Sequence, residues 1–354
     1  MRKSLFPVFA LLVVVSMVLV ACGGGAAPAP TTAPAAPAFR VGLVTDVGKI
    51  DDKSFNQTAW EGVQQAQKEL GVTEIKYIET TDSKDYGKNI AQFGDAGYDV
   101  IVTVGFNLTE DTWTAAKKYP KVKFIGVDQF LSKDDKHAEW PLANLVGVVF
   151  DEDKAGYLAG ALAASVSKSG TIGSVLGTDA VPPVWRYGEG YRAGAKSINP
   201  NINVLVTYHN DVGFDKTFTD PEWGKTTGLS MIDKGADVLF GAGGKTGNGA
   251  LLAAAEKGVY CIGVDTDQYY TVPEAQKAMI SSAMKLETPS VFAMIKSAKD
   301  GTWKGGLYTG PTGLAPFHDL DSKVPADVKA KLQTIDKGLK DGSVKTNVPP
   351  VKPQ

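Results

Sequence analysis

An internal repeat constrains the fold of this 354-residue chain more than any other feature. Residues 96–105 (Ala-Gly-Tyr-Asp-Val-Ile-Val-Thr-Val-Gly) resemble residues 234–243 (Lys-Gly-Ala-Asp-Val-Leu-Phe-Gly-Ala-Gly). Further on, residues 122–128 (Val-Lys-Phe-Ile-Gly-Val-Asp) resemble residues 259–265 (Val-Tyr-Cys-Ile-Gly-Val-Asp). A Gly-x-Asp turn alone is a common way for a helix to lead into a strand. The shared order of both segments nevertheless predicts two similar α/β lobes.

Short apolar runs alternate with longer amphipathic segments along the rest of the chain. This alternation predicts parallel sheets with right-handed crossovers, and eleven strands favour two sheets over one. The predicted strands are 41–45, 74–78, 100–104, 122–127, 145–149, 171–176, 204–208, 238–240, 259–264, 278–284 and 306–308. The predicted helices are 54–70, 84–96, 109–118, 153–167, 187–198, 222–234, 247–257 and 288–300.

The first strand, loop and helix bring together side chains suited to a small ligand. Residues 41–44 are apolar, a polar loop follows, and Ser54 can cap the next helix. Ligands of open α/β sheets bind just outside the carboxyl ends of the strands. Asp46, Phe55 and Asn56 would then supply a carboxylate, a flat ring and an amide. The residues alone leave a second interpretation open, a capped turn with Phe55 in the core.

Further aromatic candidates could stack on a flat ligand. Phe106 belongs to the first half of the chain, and Trp185 and Tyr187 belong to the second. Each ring is also a plausible core residue, but all of them lie in predicted loops or near strand ends. Aromatic faces prefer offset stacking, which contributes about 1 kcal/mol beyond burial.

Polar candidates lie at the ends of other predicted strands. Asp128 and Asp265 close the repeated Gly-Val-Asp segments and can accept hydrogen bonds from N–H or hydroxyl groups. Lys285 ends another strand and can donate to hydroxyls. Taken alone it is better interpreted as a solvated surface lysine, and its strand-end position keeps it among the candidates. Two facing lobes would place Asp46, Asp128 and Asp265 around one cleft.

The amino terminus has the pattern of an export signal. Two basic residues precede an apolar run over residues 5–20, and Leu-Val-Ala-Cys22 resembles the lipobox of bacterial lipoproteins. We therefore expect a signal peptide over 1–21 and a lipidated Cys22. The Pro/Ala-rich residues 22–38 would form a tether, and Cys261 would be a core residue without a disulfide partner. The predicted location is the extracytoplasmic face of the cell membrane.

Charge and motif content argue against several functions. The formal net charge is −2, and loss of Arg2 and Lys3 with the signal makes it −4, so nucleic-acid binding is not expected. No metal-ligand spacing or nucleophile elbow occurs, so we expect no enzyme, metal or cofactor. The glycine-rich residues 242–249 fail the P-loop spacing, because Leu239 occupies the place of the first glycine.

Four segments together resemble the basic-membrane-protein family of lipoprotein substrate-binding proteins, which includes the purine nucleoside receptor of bacterial ABC importers. The segments are Asp46-x-Gly-x-Ile-Asp-Asp-Lys-Ser-Phe-Asn56, the repeated Gly-Val-Asp ends, residues 244–249 (Gly-Lys-Thr-Gly-Asn-Gly) and residues 263–268 (Gly-Val-Asp-Thr-Asp-Gln). The resemblance spans nearly all of residues 39–345.

The resemblance implies the type I periplasmic-binding-protein fold, an α/β fold with two doubly wound parallel-sheet lobes and a three-segment hinge. The expected first lobe comprises 39–147 and 268–302, and the second comprises 148–267 and 303–345. Phe55 would stack on a base, with Asp46, Asn56 and Asp128 at the base edge. Gly244, Asp265 and Lys285 would contact the ribose. The second stacking ring would be Trp185 or Tyr187, and the aromatic run 214–223 is unlike the family.

These observations predict an extracytoplasmic receptor that binds a purine nucleoside between its lobes and delivers it to an ABC permease. We expect a monomer anchored to the membrane by lipid. A sugar or another small polar metabolite is the alternative ligand. Ligand sensing for a membrane receptor is the alternative role.

Overall fold

The computed structural model describes residues 38–352. The predicted signal peptide, the lipidated Cys22 and the tether up to residue 37 lie outside the described residues. Within residues 38–352, no helix is both long enough and apolar enough to span a bilayer.

The described residues form twelve strands, ten α-helices and five short 3-10 helices. The strands are β1 (Arg40–Thr45), β2 (Glu74–Ile78), β3 (Val100–Val104), β4 (Lys123–Val127), β5 (Leu145–Phe150), β6 (Thr171–Leu176), β7 (Asn203–Tyr208), β8 (Val238–Ala242), β9 (Tyr260–Asp265), β10 (Met279–Lys285), β11 (Gly306–Gly310) and β12 (Thr312–Leu314). The helices are α1 (Phe55–Leu70), α2 (Tyr86–Asp95), α3 (Thr109–Lys118), α4 (Glu152–Val166), α5 (Pro182–Ile198), α6 (Pro221–Asp233), α7 (Gly244–Lys257), α8 (Gln268–Thr271), α9 (Glu287–Lys299) and α10 (Ala326–Asp341).

The strands form two six-stranded sheets of matching order. The first sheet runs β11-β5-β4-β3-β1-β2, and the second runs β12-β10-β9-β8-β6-β7. All neighbouring pairs are parallel except β10 and β12. Strands β1–β5 of the first sheet thus occupy the same relative places as β6–β10 of the second sheet. The predicted repeat of two α/β lobes is confirmed.

Each lobe is built on a sheet covered by helices on both faces. The central strands are apolar and fully buried, as expected when water reaches neither face of a sheet. In the first lobe, α1 and α9 pack together on the sheet; in the second, α4 and α5 do. Cys261 is buried in β9, and burial raises the pKa of its thiol, as expected of a core residue.

Three segments connect the lobes, as expected, but they lie elsewhere than predicted. The crossings occur between β5 and α4, between β10 and α9, and between β11 and β12. The predicted boundaries at 147/148, 267/268 and 302/303 are therefore displaced. The reason is strand pairing: β10 pairs with β9 in the second sheet, and β11 pairs with β5 in the first. The apolar pattern of these strands fits either sheet equally well.

All eleven predicted strands and eight predicted helices are present, with ends that differ by a few residues. The prediction missed β12, α8 and α10. Ser54 stands at the N-cap position of α1 as predicted, but the expected capping by its side chain is wrong, because that side chain makes no capping hydrogen bond.

A close contact between α4 and α5 leads to a testable prediction. A Cβ atom added at Gly160 would lie 1.9 Å from the backbone oxygen of Tyr191, so Gly160→Ala must push the helices apart. Overpacking of this kind costs about 2–3 kcal/mol, which urea denaturation would measure. Gly313→Ala is the matched control, since no atom lies within 4 Å of its Cβ position. Equal unfolding midpoints for the two variants would contradict the close packing.

Candidate ligand-binding site

A cavity lies between the lobes at the carboxyl ends of both sheets. Its empty volume is about 740 Å³, which includes open solvent at the mouth. Cavities of this size and position are typical of small-molecule sites. Nine of the ten ligand-binding candidates from the sequence line it: Asp46, Phe55, Asn56, Phe106, Asp128, Tyr187, Gly244, Asp265 and Lys285.

Asp46 and Asn56 form a hydrogen-bonded pair on the first-lobe wall. Asp46 Oδ1 accepts from the Gly48 amide at 3.1 Å and from Asn56 Nδ2 at 3.2 Å. The Asn56 amide nitrogen also donates to Asp52 Oδ2 at 3.2 Å. Asn56 Oδ1 is buried and has no hydrogen-bond partner in the described part of the chain. This pair therefore offers a fixed acceptor to an N–H group of a ligand.

Asp52 is the cap of α1 and a lining residue that the sequence analysis missed. Its carboxylate accepts from the amides of Ser54, Asn56 and Gln57 at 2.9–3.1 Å. These are amides that a helix amino terminus otherwise leaves without partners. The Asp-x-Ser spacing before the helix was the available signal. The cap fixes the start of α1 and with it Phe55, the first residue of the helix.

Lys285 is buried at the end of β10, so the surface-lysine alternative is wrong. It is 3% exposed and forms an ion pair with Asp128 at the end of β4. Its Nζ lies 3.7 Å from Asp265 Oδ1 and 3.5 Å from Glu287 Oε1. It also lies 4.4 Å from the centre of the Phe55 ring. One ammonium thus connects carboxylates and an aromatic ring from both lobes.

Burial changes the protonation of this cluster. Burial raises the pKa of Asp265 to about 7 against the attraction of Lys285, and it raises the pKa of Glu287 well above its usual value. Burial alone would lower the pKa of Lys285, but Asp128 and the other carboxylates outweigh it and hold that pKa above its usual value. The lysine therefore stays charged beside Asp128, while Asp265 titrates near neutral pH.

The raised carboxyl pKa values predict that stability falls as the pH rises from about 5 to 8. Burial raises the pKa of Asp46 and Asp52 to about 6, and that of Asp265 to about 7, from 3.8. In this range the native state binds more protons than the unfolded chain, so unfolding becomes easier as pH increases. Melting temperature measured against pH tests this. Asp265→Asn should flatten the slope, and a melting temperature that increases over this range would contradict the account.

Aromatic rings from both lobes face the cavity. Phe55 and Phe106 come from the first lobe, whereas Phe214 and Phe218 come from the loop between β7 and α6. Phe214 and Phe218 pack edge to face, with ring centroids 5.7 Å apart. The aromatic run 214–223 is evident in the sequence, but its place in the cavity wall was not predicted. The available signal was the concentration of aromatic rings in one predicted loop.

Trp185 and Tyr187 have different positions from those expected. Trp185 is 5% exposed and does not line the cavity. Tyr187 lines the cavity, but its hydroxyl donates to the Ala283 oxygen at 3.3 Å and its ring packs edge to face on Phe240. Tyr187 is therefore part of the second-lobe core at the base of the cavity. Phe214 and Phe218 are the partly exposed aromatic rings that the loop of the second lobe offers instead.

Comparison with known proteins identifies the family. The family model for Bmp, described as ABC transporter substrate-binding protein PnrA-like, matches residues 39–309. The chain belongs to the Bmp family. It is 31% identical to the ABC transporter nucleoside-binding protein BmpA of Lactococcus lactis, covering 95% of this chain and 98% of the relative. It is also 31% identical to the CD4+ T-cell-stimulating antigen of Listeria monocytogenes, covering 89% of each.

A solved structure supports the fold of this Bmp-family chain. An ABC transporter solute-binding protein from Aeropyrum pernix K1 superposes with a TM-score of 0.77 at 24% identity, covering 88% of this chain and 94% of that one. The type I periplasmic-binding-protein fold is confirmed, and the chain is an ABC transporter substrate-binding protein of the Bmp family.

The lobes of this Bmp-family protein are in contact across the cavity mouth. Lys245 Nζ lies 2.8 Å from Asp51 Oδ1. The Asn248 amide donates to the Asp52 backbone oxygen at 2.8 Å, and the Gln268 amide donates to that of Lys53 at 3.0 Å. The structure is therefore a closed conformation held in part by contacts that need no ligand.

Proposed function

We propose that this chain binds a nucleoside in the cavity between its lobes and delivers it to the permease of an ABC importer. The observation that carries the proposal is that Phe55 and Phe218, from different lobes, line the same cavity. A planar base between two rings gains about 1 kcal/mol per stacked face beyond burial. Closure brings both rings to the ligand at once, which links binding to the movement of the lobes.

The polar groups of the cavity suit the two ends of a nucleoside. Asp46 and the available Asn56 Oδ1 would accept hydrogen bonds from the base edge. Asp265 and Lys285 would bind the ribose hydroxyls as acceptor and donor, in place of part of their present pairing. Asp128 is engaged with Lys285, so we assign it to positioning the lysine rather than to the base edge.

Gly244 would let the ribose approach the backbone at the start of α7. Its φ is +55°, and a Cβ atom there would lie 3.0 Å from the Phe218 oxygen. A side chain at this position would be strained and would crowd the Phe218 loop.

Isothermal titration calorimetry of ligand-stripped protein tests the nucleoside assignment. Adenosine, guanosine, inosine and uridine are titrated beside free ribose, glucose and the free bases. We expect one-to-one saturation with a nucleoside and no heat of binding with the sugars. Tight binding of a sugar, with no response to any nucleoside, would overturn the assignment and favour the alternative ligand class.

The comparisons support a membrane-bound transport role. The Lactococcus lactis relative is named an ABC transporter nucleoside-binding protein, and a relative 33% identical in Pyrococcus abyssi is named a lipoprotein. We propose that Cys22 carries the lipid and that the folded chain is a monomer on the extracytoplasmic face. Metabolic labelling with a palmitate analogue should mark the wild type but not Cys22→Ser.

A second experiment tests the transport role. Deletion of the permease should abolish nucleoside uptake by the cell. If the protein were only a sensor, this deletion would leave nucleoside uptake unchanged.

We further propose that the protein binds its ligand without chemical turnover, since the Bmp family is a family of transport proteins. Chromatography of a nucleoside after prolonged incubation with the protein should recover it unchanged. Release of free base or ribose would contradict this.

A further inference from the structure

The loop over residues 209–220 forms a wall of the cavity and touches the opposite lobe. It connects β7 to α6 and carries Phe214 and Phe218, both of which line the cavity. Phe214 also packs against a first-lobe core cluster, which includes Val47 and Tyr86. The conformation of this loop therefore affects both the ligand contact and lobe closure.

A buried histidine, His209, lies between the two ends of this loop. His209 is 0% exposed, and its ring stacks on Trp223 of α6 with centroids 4.0 Å apart. Its Nδ1 lies 2.9 Å from Asp211 Oδ1, and its Nε2 lies 3.5 Å from Asp220 Oδ2. Asp211 and Asp220 stand at opposite ends of the loop, so the imidazole lies between its two ends.

His209 and the Phe218 ring both pack on Gly177, just after the end of β6. The His209 amide donates to the Gly177 oxygen at 2.6 Å, and the Phe218 ring lies 2.3 Å from where a Gly177 Cβ would be. On the other side, the Asp220 amide donates to the Thr246 hydroxyl at 3.0 Å. Because the ring packs on the strand end that also holds His209, a shift of the loop base moves the ring.

The charge state of the His209 imidazole decides to how many carboxylates it can donate a hydrogen bond. A neutral imidazole has one N–H group and donates to one carboxylate, whereas an imidazolium donates to both. In the described part of the chain, Asp211 and Asp220 are the ionisable side chains placed against the ring. Just past the end of β6, Asp179 accepts from the side-chain amide of Asn210, the residue after His209, and its charge is paired with Lys352 at 2.8 Å. Thr246 of α7 is uncharged.

We propose that His209 is a positioning residue for the aromatic wall, and that its protonation holds the loop closed and tightens binding of the ligand. The proposal rests on the proposed function, because it assumes that Phe214 and Phe218 contact the bound molecule. Nucleoside affinity should then weaken about threefold to tenfold between pH 5.5 and pH 8, the size of one hydrogen bond lost from the loop.

Calorimetry with the best-binding nucleoside from pH 5.5 to 8 tests the proposal in wild type and His209→Gln. The cavity carboxyls titrate in the same range, so the difference between the two profiles isolates the histidine. His209→Gln should bind more weakly at pH 5.5 and lack the difference. His318→Gln is the matched control, since His318 also lies 2.7 Å from a carboxylate, Asp267, and stacks on Tyr269 outside the cavity. It should keep the wild-type profile.

Two further measurements test the role of His209 even if His209→Gln folds poorly. Asp211→Asn leaves the α6 cap of Asp220 intact and should reduce the pH dependence. In proton NMR of wild type at a fixed pH, ligand saturation should increase the protonated fraction of the His209 ring, because coupling between proton and ligand is reciprocal. An unchanged protonated fraction, or identical affinity profiles for wild type and Asp211→Asn, would overturn the inference. Failure to bind any nucleoside would instead overturn the proposed function.

Discussion

Lys285→Met is expected to lower the free energy of unfolding by about 3–5 kcal/mol and to weaken nucleoside binding about 100-fold. The ammonium is buried against Asp128, Asp265 and Glu287, and methionine fills similar space without a charge. The carboxylates would then be buried without a cation, and the ligand would lose a hydroxyl-binding donor. The loss of stability should be larger at pH 8 than at pH 6, because at pH 6 the remaining carboxyls take up protons more readily.

Urea denaturation and calorimetry at both pH values measure these effects. The double variant Lys285→Met/Asp128→Asn is the informative control, since it removes the partner charge together with the lysine. It should recover about half of the lost stability but none of the affinity. If Lys285→Met unfolds at the wild-type urea concentration and binds normally, the buried cluster does not have the role assigned to it.

Phe218→Leu is expected to weaken nucleoside binding about 30-fold, or about 2 kcal/mol, by removing one stacked face and part of the apolar contact. The ring is partly exposed and lines the cavity from a loop, so the unfolding midpoint should change little. Phe55→Leu should have a similar effect on affinity from the opposite lobe. Equilibrium titration at one pH, with tryptophan fluorescence or heat as the signal, measures both.

Two control variants separate stacking from general loss of aromatic surface. Phe130→Leu changes an exposed ring outside the cavity lining and should bind within about twofold of wild type. Trp185→Phe should also retain affinity, since Trp185 does not line the cavity. A large loss of affinity in Trp185→Phe with no loss in Phe218→Leu would restore the stacking role that the sequence suggested for the tryptophan.

The parts of the site that the sequence could predict follow from regular structure. Asp46, Asp128 and Asp265 each end an apolar strand, and parallel strands present their carboxyl ends at the same edge. The internal repeat then placed two such edges opposite one another. Phe55 and Asn56 followed from their position at the start of the helix after the first strand. Local pattern and topology were sufficient for these residues.

The remaining parts depend on contacts between distant segments. Which face of α5 turns toward the cavity is decided by packing against α4, so sequence alone could not choose between Trp185 and Tyr187. Phe218 lies in an irregular loop without periodicity. Lys285 resembled a surface lysine because its partner Asp128 lies 157 residues away in the chain. The lobe boundaries were displaced because the pairing of β10 and β11 is likewise non-local.

Native mass spectrometry of the protein, as purified and after incubation with a nucleoside mixture, shows directly whether the two lobes enclose a nucleoside. We expect one bound molecule with the mass of a nucleoside in wild type, and its absence in the double variant Phe55→Leu/Phe218→Leu. A wild-type protein that carries a sugar, or that takes up no nucleoside from the mixture, would contradict the nucleoside assignment.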